Sequence, residues 1–178
     1  MIKHKDQRVG VFVDVQNLYY SAKNLYNAKV NFGAILKIAV GGRKLIRAIA
    51  YVVKAQNLDE QRFFEALDKQ GFEVKMKDLQ VFYGGHKKGD WDVGMAIDII
   101  RLMNKLDVVV LVTGDGDFVP LVEYLRNQGQ YVESIAFGGS ASSYLINEAD
   151  EFVDLSRQKS KYLISNQFRT SLRGRAKR

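Results

Sequence analysis

The stretch VVVLVTGDGDF, residues 108–118, decides the fold. Its first five residues are all valine or leucine, which is typical of a parallel strand covered on both faces. Two glycines then alternate with Asp115 and Asp117, and glycine permits a tight turn directly after the strand. A buried strand followed by a turn with two carboxylates predicts an α/β protein whose central sheet has an acidic edge.

Strands and helices alternate along the rest of the chain. Apolar, β-rich runs predict further strands at 9–15, 44–53, 72–76, 79–83, 131–137 and, at an edge, 152–155. Helical periodicity and capping residues predict helices over 16–27, from an Asn31 cap to Val40, over 60–70 after an Asp59 cap, over 91–104 and over about 117–128. A short helix is expected after the glycine loop that follows 131–137. This alternation predicts a three-layer α/β/α sandwich with a mainly parallel central sheet.

The net charge of +7 is unevenly distributed. Residues 157–178 contain eight Lys and Arg and no Asp or Glu, a charge of +8. Residues 1–156 keep the other 19 basic residues against 20 acidic ones, a charge of −1. We therefore expect one domain at 1–156 and a basic tail at 157–178. A nucleic acid is the expected partner of such a tail, and a solvated tail that only aids solubility is the alternative.

Composition excludes several classes of protein. Cysteine is absent, which excludes disulfides, thiolate metal sites and cysteine nucleophiles, and the two histidines disfavour a His-rich zinc site. No apolar run reaches the roughly 18 residues of a membrane span, and the polar N-terminus does not resemble a signal peptide. We expect a cytoplasmic protein without membrane contact. Apolar side chains in the tail would allow a homodimer.

Three aspartates follow two predicted strands. Asp14 ends the first strand in VFVDVQN, and Asp115 and Asp117 follow the 108–112 strand. If these strands are parallel neighbours, their carboxyl ends meet at one edge of the sheet. Each aspartate alone also has a structural interpretation, because Asp117 is a good helix N-cap, Asp115 suits a turn and Asp14 could be salt-bridged.

A fourth aspartate reaches the same edge from a helix. Asp92 precedes three apolar residues of its helix by four, seven and eleven positions, namely Ala96, Ile99 and Met103. It therefore lies on the apolar face and is expected to point toward the sheet. Asp98 lies off that stripe and is expected behind the site or at the helix surface.

Carboxylates gathered at one point repel each other unless a cation neutralises them or protons bind. Ligation by oxygen alone favours Mg²⁺ or Mn²⁺. Such an ion can activate a water and stabilise the charge of an in-line displacement at phosphorus. Asn17, one turn after Asp14, could orient a ligand or a water.

Three segments carry a family resemblance: VFVDVQNLYY, KKGDWDVGMAIDII and TGDGDFVPLVEYLRNQG. In this order they resemble the NYN-domain family, and within it the LabA-like branch of the PIN-like nuclease superfamily. The resemblance covers roughly residues 8–155 and implies a PIN-like fold with a metal-dependent ribonuclease site. The matched motif positions are the acidic residues Asp14, Asp92, Asp115 and Asp117, the asparagine Asn17 and the small hydroxyl residue Thr113.

The leading interpretation is a ribonuclease in which Mg²⁺ or Mn²⁺, held by these four aspartates, activates water against a phosphodiester of single-stranded RNA. The second is a PIN-like module that binds RNA or protein without cleaving. The third is a phosphatase or phospho-acceptor domain with Asp14 as nucleophile. Gln16 weakens the phosphatase version, because a second aspartate is expected at its position.

Several weaker substrate contacts are also predicted. Lys88 could bind a phosphate, Trp91 could stack on a base, and the amide groups of Gly138, Gly139 and Ser140 could receive a phosphate. The structural alternatives are a solvated loop charge, a packing residue at a helix start and an ordinary turn. His86 is a weak candidate for a general base. Tyr19 and Tyr20 are expected to pack, with base stacking as the minor alternative.

Overall fold

A computed structural model describes residues 3–54, 58–78, 80–81, 87–88 and 90–164. For residues 58–60, 80–81 and 87–88 only the backbone is described. The strands are β1 (Arg8–Asp14), β2 (Lys29–Val30), β3 (Lys44–Lys54), β4 (Glu73–Asp78), β5 (Gln80–Val81), β6 (Lys87–Lys88), β7 (Val108–Val112), β8 (Tyr131–Ala136), β9 (Glu151–Asp154) and β10 (Leu163–Ile164).

Seven α-helices accompany these strands in the described part of the chain. They are α1 (Val15–Tyr26), α2 (Phe32–Val40), α3 (Leu58–Lys69), α4 (Asp92–Leu102), α5 (Val119–Asn127), α6 (Ser143–Glu148) and α7 (Lys159–Tyr162). Short 3-10 turns lie at Met103–Lys105, Gly116–Phe118, Gly138–Ser140 and Leu155–Gln158.

Six strands form the central sheet in the order β4-β3-β1-β7-β8-β9, and every neighbouring pair is parallel. The predicted parallel sheet is therefore confirmed. All five residues of β7 are buried, as the unbroken Val/Leu run predicts for a strand covered on both faces. The edge strand predicted at 152–155 is β9, which pairs with β8.

The side chains of the sheet build two separate cores, one on each face. Val11, Val13 and their neighbours pack with α1, α2 and α3, and Tyr162 of α7 completes this layer. Phe12 and Leu111 point the other way and pack with side chains of α4, α5 and α6. This arrangement confirms the predicted three-layer α/β/α sandwich.

Two of the predicted helix starts differ from the structure. Asn31 caps α2 as expected, since its side chain accepts a hydrogen bond from Ala34 N–H at 3.1 Å. Helix α3, however, begins at Leu58, so Asp59 lies inside its first turn and does not precede it. After β7 the cap is Asp115, whose carboxylate accepts from Asp117 N–H, so the expected cap at Asp117 is wrong.

The chain beyond Ser156 continues as part of the packed fold. Tyr162 is 2% exposed, and β10 pairs antiparallel with β2, a strand that the sequence did not predict. Tyr162 and the pairing of β10 therefore attach this part of the predicted basic tail to the domain, whereas residues 157–161 are exposed. Residues 165–178 lie outside the described residues, and so does most of the strand predicted at 79–83.

An ion pair buried under the sheet links α2 to β8. The guanidinium of Arg43 donates to both carboxylate oxygens of Glu133, at 2.6 and 2.9 Å, and each side chain is 1% exposed. Arg43 also donates to the carbonyls of Ala39 and Val40, at the end of α2. These bonds satisfy carbonyl groups that a helix end leaves without partners.

Across the described residues, no helix combines the length and the apolar character that crossing a bilayer requires.

Candidate metal centre

The strand order changes direction beside β1. The chain runs from β1 through β3 to β4 on one side of the sheet, then crosses to β7 on the other side of β1. Loops that leave β1 and β7 therefore diverge, which opens a crevice at the carboxyl ends of these two strands. Asp14 is the last residue of β1, and Thr113 follows β7 directly, so both stand at this crevice.

Asp14 is held in place by the start of α1. Its carboxylate accepts a hydrogen bond from Asn17 N–H at 3.0 Å, which makes Asp14 the N-cap of the helix. The Thr113 hydroxyl donates to its other oxygen at 3.4 Å. The Asp14 carboxylate therefore has a fixed direction before any ligand binds.

The loop after β7 is tied to the same helix. Gly114 N–H donates to the side-chain oxygen of Asn17 at 2.9 Å. Thr113 Oγ1 accepts from Asp115 N–H at 3.2 Å, and this bond orients the turn that carries the second carboxylate. Asn17 thus acts between helix and loop, which adds a positioning role to the ligand contact predicted for it.

Gly114 is required by close packing in this loop. A Cβ atom at this position would lie 2.9 Å from Ala141 Cα and 3.3 Å from the carbonyl oxygen of Ser140. Its own carbonyl accepts from Ser142 N–H at 2.8 Å. A larger residue would therefore force the loop that precedes Asp115 to shift.

Three of the four predicted aspartates converge. Asp14, Asp92 and Asp115 each place one carboxylate oxygen within 4.8 Å of the others. Asp92 opens α4, and its helix packs on the face of the sheet that carries Phe12 and Leu111. One hard cation with oxygen ligands at about 2.0–2.6 Å could contact all three carboxylates. The donor set therefore fits Mg²⁺ or Mn²⁺.

The cluster is electrostatically strained without a cation. Burial, and then repulsion from Asp90, Asp115 and Asp14, raises the pKa of Asp92 to about 6. Burial is also the main cause that raises the pKa of Asp14, with a smaller contribution from Asp115 and an opposing one from the Asn17 N–H bond. Both shifts disfavour the charged carboxylates, which is the condition that a bound cation relieves.

Asp117 does not join the three carboxylates. Its backbone N–H is bonded to Asp115 at 3.0 Å and its side chain is exposed. Its charge does contribute to the raised pKa of Asp92, so it stands near the cluster. The structure therefore brings together Asp14, Asp92 and Asp115 and leaves Asp117 at the rim.

The three carboxylates face a cleft of about 190 Å³. Its lining residues are Asp14, Gln16, Asn17, Tyr20, Tyr51, Asp90, Trp91, Asp92 and Asp115. A larger hollow of about 500 Å³ lies around Arg126, but that guanidinium is already paired with Glu148 and Asp150. Charge and ligand geometry therefore favour the smaller cleft as the functional one.

Trp91 forms a wall of this cleft. Its indole N–H donates to the Val52 carbonyl at 2.9 Å, and its ring lies 5.4 Å from the ring of Tyr51. Gly94 leaves room for it, since a Cβ there would lie 2.7 Å from Trp91 Cε3. These contacts match the packing alternative for Trp91 better than the predicted base stacking.

The Gly138–Ser140 turn uses its polar groups within the fold. Gly138 N–H donates to the Asp154 carboxylate at 2.9 Å, and Ser140 N–H donates to the Phe137 carbonyl. Burial alone would raise the pKa of Asp154, but the bonds from Gly138 and Ser156 hold it below its usual value. An anionic neighbour and occupied donors oppose the phosphate-binding role predicted for this turn.

Two further predictions concern the loop before α4. Lys88 lies in β6, and its side chain is outside the described residues. His86 lies outside them entirely. Both assignments therefore remain predictions.

Sequence reasoning placed Asp98 behind the site or at the helix surface, but it missed the contacts of Asp98 with Tyr51 and Lys75. Tyr51 O–H donates to Asp98 at 2.9 Å, and Lys75 Nζ donates to the same oxygen at 2.6 Å. Burial and the bond to Asp98 raise the pKa of Tyr51, so its hydroxyl stays a donor. Asp98 is thus a partly buried partner of two strands. A carboxylate off the apolar stripe of its helix gives no local signal for such contacts.

The sequence profile of the NYN domain matches residues 8–156, which contain all three clustered aspartates. This chain belongs to the NYN-domain family. The PIN-like fold inferred from the sequence is confirmed by this match together with the three-layer architecture.

Relatives of the NYN-domain protein span bacteria and archaea. The low amplitude and bright protein LabA of Synechococcus elongatus is 25% identical over 166 residues, 85% of each chain. An uncharacterised protein of Methanocaldococcus jannaschii is 31% identical over 160 residues, which cover 86% of this chain and 57% of that protein. The crystal structure of a protein of unknown function from Vibrio parahaemolyticus has a TM-score of 0.83 and 31% identity, and covers 92% of this chain and 100% of its own.

Proposed function

We propose that this protein is a metal-dependent ribonuclease that hydrolyses phosphodiester bonds of RNA in the cytoplasm. The observation that carries the proposal is the convergence of three carboxylates, within 4.8 Å, at the strand-order switch of a NYN-domain fold. Oxygen ligands alone favour Mg²⁺ or Mn²⁺. When bound, such an ion would supply an activated water and charge stabilisation for displacement at phosphorus.

Each residue of the cleft has a distinct task in this proposal. Asp14, Asp92 and Asp115 hold the ion, and Asp117 at the rim contributes negative charge or a water-mediated contact. Asn17 and Thr113 fix the directions of the carboxylates through the hydrogen bonds described above. Tyr51 and Trp91 close one side of the cleft and limit access of bulk water to it.

The charge distribution supports a polyanionic substrate. Residues 165–178 carry five Lys and Arg and no acidic residue. Such a segment would neutralise phosphates away from the cleft and add affinity that does not depend on sequence. The acidic cleft and the basic segment would then act on the same strand.

The test is cleavage of labelled single-stranded and structured RNA with Mn²⁺, Mg²⁺ or EDTA. Asp14→Asn is the decisive variant, because asparagine is as good an N-cap as aspartate and should leave α1 intact. Asp68→Asn, at an exposed position of α3, is the matched control. We expect metal-dependent cleavage by the wild type and the control, and none by Asp14→Asn.

RNA binding separates this proposal from its main alternative. Asp14→Asn should bind RNA nearly as well as the wild type while failing to cleave it. If the wild type binds RNA but never cleaves it with any of the metals, the protein is a binding module. Trapping of a beryllofluoride adduct on Asp14 would instead favour the phospho-acceptor interpretation.

A further inference from the structure

Two exposed tyrosines on α1 lie beside the acidic cleft. Tyr20 lines the cleft together with Asp14 and is 53% exposed. Tyr19, the preceding residue of α1, is 44% exposed. Single exposed aromatic residues are common on protein surfaces. These two differ because they are adjacent and one of them lines the cleft that holds the carboxylates, where a ligand could contact it.

The rings of Tyr19 and Tyr20 are not part of the buried core. The buried face of α1 consists of Val15, Leu18, Ser21 and Ala22. The rings instead contact each other edge to face, with centroids 5.3 Å apart and planes at 77°. One ring thus supports the other at the surface, and both side chains stay about half exposed.

A positive charge extends this aromatic pair. Lys23 Nζ lies 5.8 Å from the centre of the Tyr19 ring, one turn further along α1. From the cleft outward, α1 therefore presents the carboxylate of its N-cap Asp14, then the two aromatic rings, then an ammonium group. Aromatic rings beside a cation match the alternation of base and phosphate in a single nucleic acid strand.

We propose that Tyr20, supported by Tyr19 and Lys23, stacks on a base of single-stranded RNA and so places the adjacent phosphate at the three aspartates. This inference rests on the proposed ribonuclease function. It assigns base stacking to Tyr20 and not to Trp91, whose indole is already bonded to Val52. A base inside a duplex has both faces covered by its neighbours. Stacking on Tyr20 therefore selects single strands.

The test measures binding in an Asp14→Asn background, which prevents cleavage, in the presence of Mg²⁺. The probe is a fluorescein-labelled single-stranded RNA of about 12 nucleotides, within the site sizes typical of such grooves. Three variants are compared by fluorescence anisotropy: Tyr20→Ala, Tyr20→Phe and Tyr124→Ala. Tyr124 is the matched control, since it is 42% exposed on α5 and does not line the cleft.

We expect Tyr20→Ala to weaken binding about tenfold, since stacking on one aromatic ring contributes that order of affinity. Tyr20→Phe and Tyr124→Ala should bind as the background protein does. A probe of the same length with abasic positions should bind weakly and should not distinguish Tyr20→Ala from Tyr20→Phe. All three variants change exposed side chains and are expected to fold.

Two results would overturn the stacking role. One is equal affinity of Tyr20→Ala and Tyr20→Phe for the base-containing probe, and the other is no detectable binding of any single strand. Cleavage by the same tyrosine variants without the Asp14→Asn substitution separates this inference from the proposed function. Metal-dependent cleavage at sub-saturating RNA that Tyr20→Ala leaves unchanged would refute stacking alone. Base-dependent binding without cleavage would refute the ribonuclease and keep the stacking site.

Discussion

The pKa of Asp92 reflects its burial and the concentration of negative charge in the site. Asp92 is the first residue of α4, and its pKa is raised to about 6 by burial and by neighbouring aspartates. The metal-free folded state therefore binds more protons at this residue than the unfolded chain does, between about pH 4 and pH 6. Stability from this group is highest at low pH and is lost as pH rises through 6.

Asp92→Asn should remove this loss. In EDTA, the free energy of unfolding of the variant should rise relative to that of the wild type as pH rises. The expected change in this difference is about 1 kcal/mol after allowing for solvent screening. Mg²⁺ should reverse the order at neutral pH, because it stabilises only a protein that binds it. Urea denaturation from about pH 5 to pH 8 measures both effects. A difference that is constant with pH would contradict the prediction.

The connection between α2 and β8 depends on one buried ion pair. Arg43 and Glu133 are both 1% exposed, and Lys3 approaches the same carboxylate at 3.5 Å. A buried pair contributes little net stability when compared with apolar side chains, but a lone charge left behind is costly. This element of the fold is therefore sensitive to loss of one partner.

Arg43→Met should destabilise the protein by about 3–5 kcal/mol, because it leaves Glu133 charged and buried. The double variant Arg43→Met/Glu133→Met should recover most of that loss. Urea denaturation of Arg43→Met, Glu133→Met and the double variant gives the coupling free energy. If the two single effects simply add, the pair is not coupled and the prediction fails.

At the scale of the whole molecule, acidic and basic side chains are concentrated in different parts of the chain. The carboxylates concentrate at one edge of the sheet, whereas five basic residues follow the last described strand. On the proposed function, the first set determines catalysis and the second determines affinity. Salt concentration should separate them, because only phosphate neutralisation releases counterions.

Replacing the five basic residues of 165–178 by glutamine should reduce the salt dependence of RNA binding. The slope of log affinity against log salt should fall by about 3 to 4, at roughly 0.7 per phosphate contact on a single strand. The cleavage rate at saturating RNA should stay unchanged. Lys37→Gln/Lys69→Gln, on α2 and α3, is the control. An unaltered slope would exclude the segment from the RNA interface.

Much of the site follows from local patterns in the sequence. Apolar runs ending in Asp14 and before Asp115 placed both residues at strand ends, and helical periodicity turned Asp92 toward the sheet. These signals are local, because strand ends and helix faces depend on a few neighbouring residues. Capping was the structural alternative for Asp117, but Asp115 provides the cap, and a two-residue difference in a 3-10 turn leaves no trace in periodicity.

The sequence by itself determined the fold class and the parallel sheet, and it predicted four aspartates at one edge, of which the structure brings three together. Only the tertiary structure decided which oxygens converge, how Asn17 joins α1 to the β7 loop, and that Asp98 serves Tyr51 and Lys75. It also turned Tyr20 from an expected packing residue into an exposed wall of the cleft. The physical reason is that these contacts join distant segments, whose distances depend on the packing of whole layers.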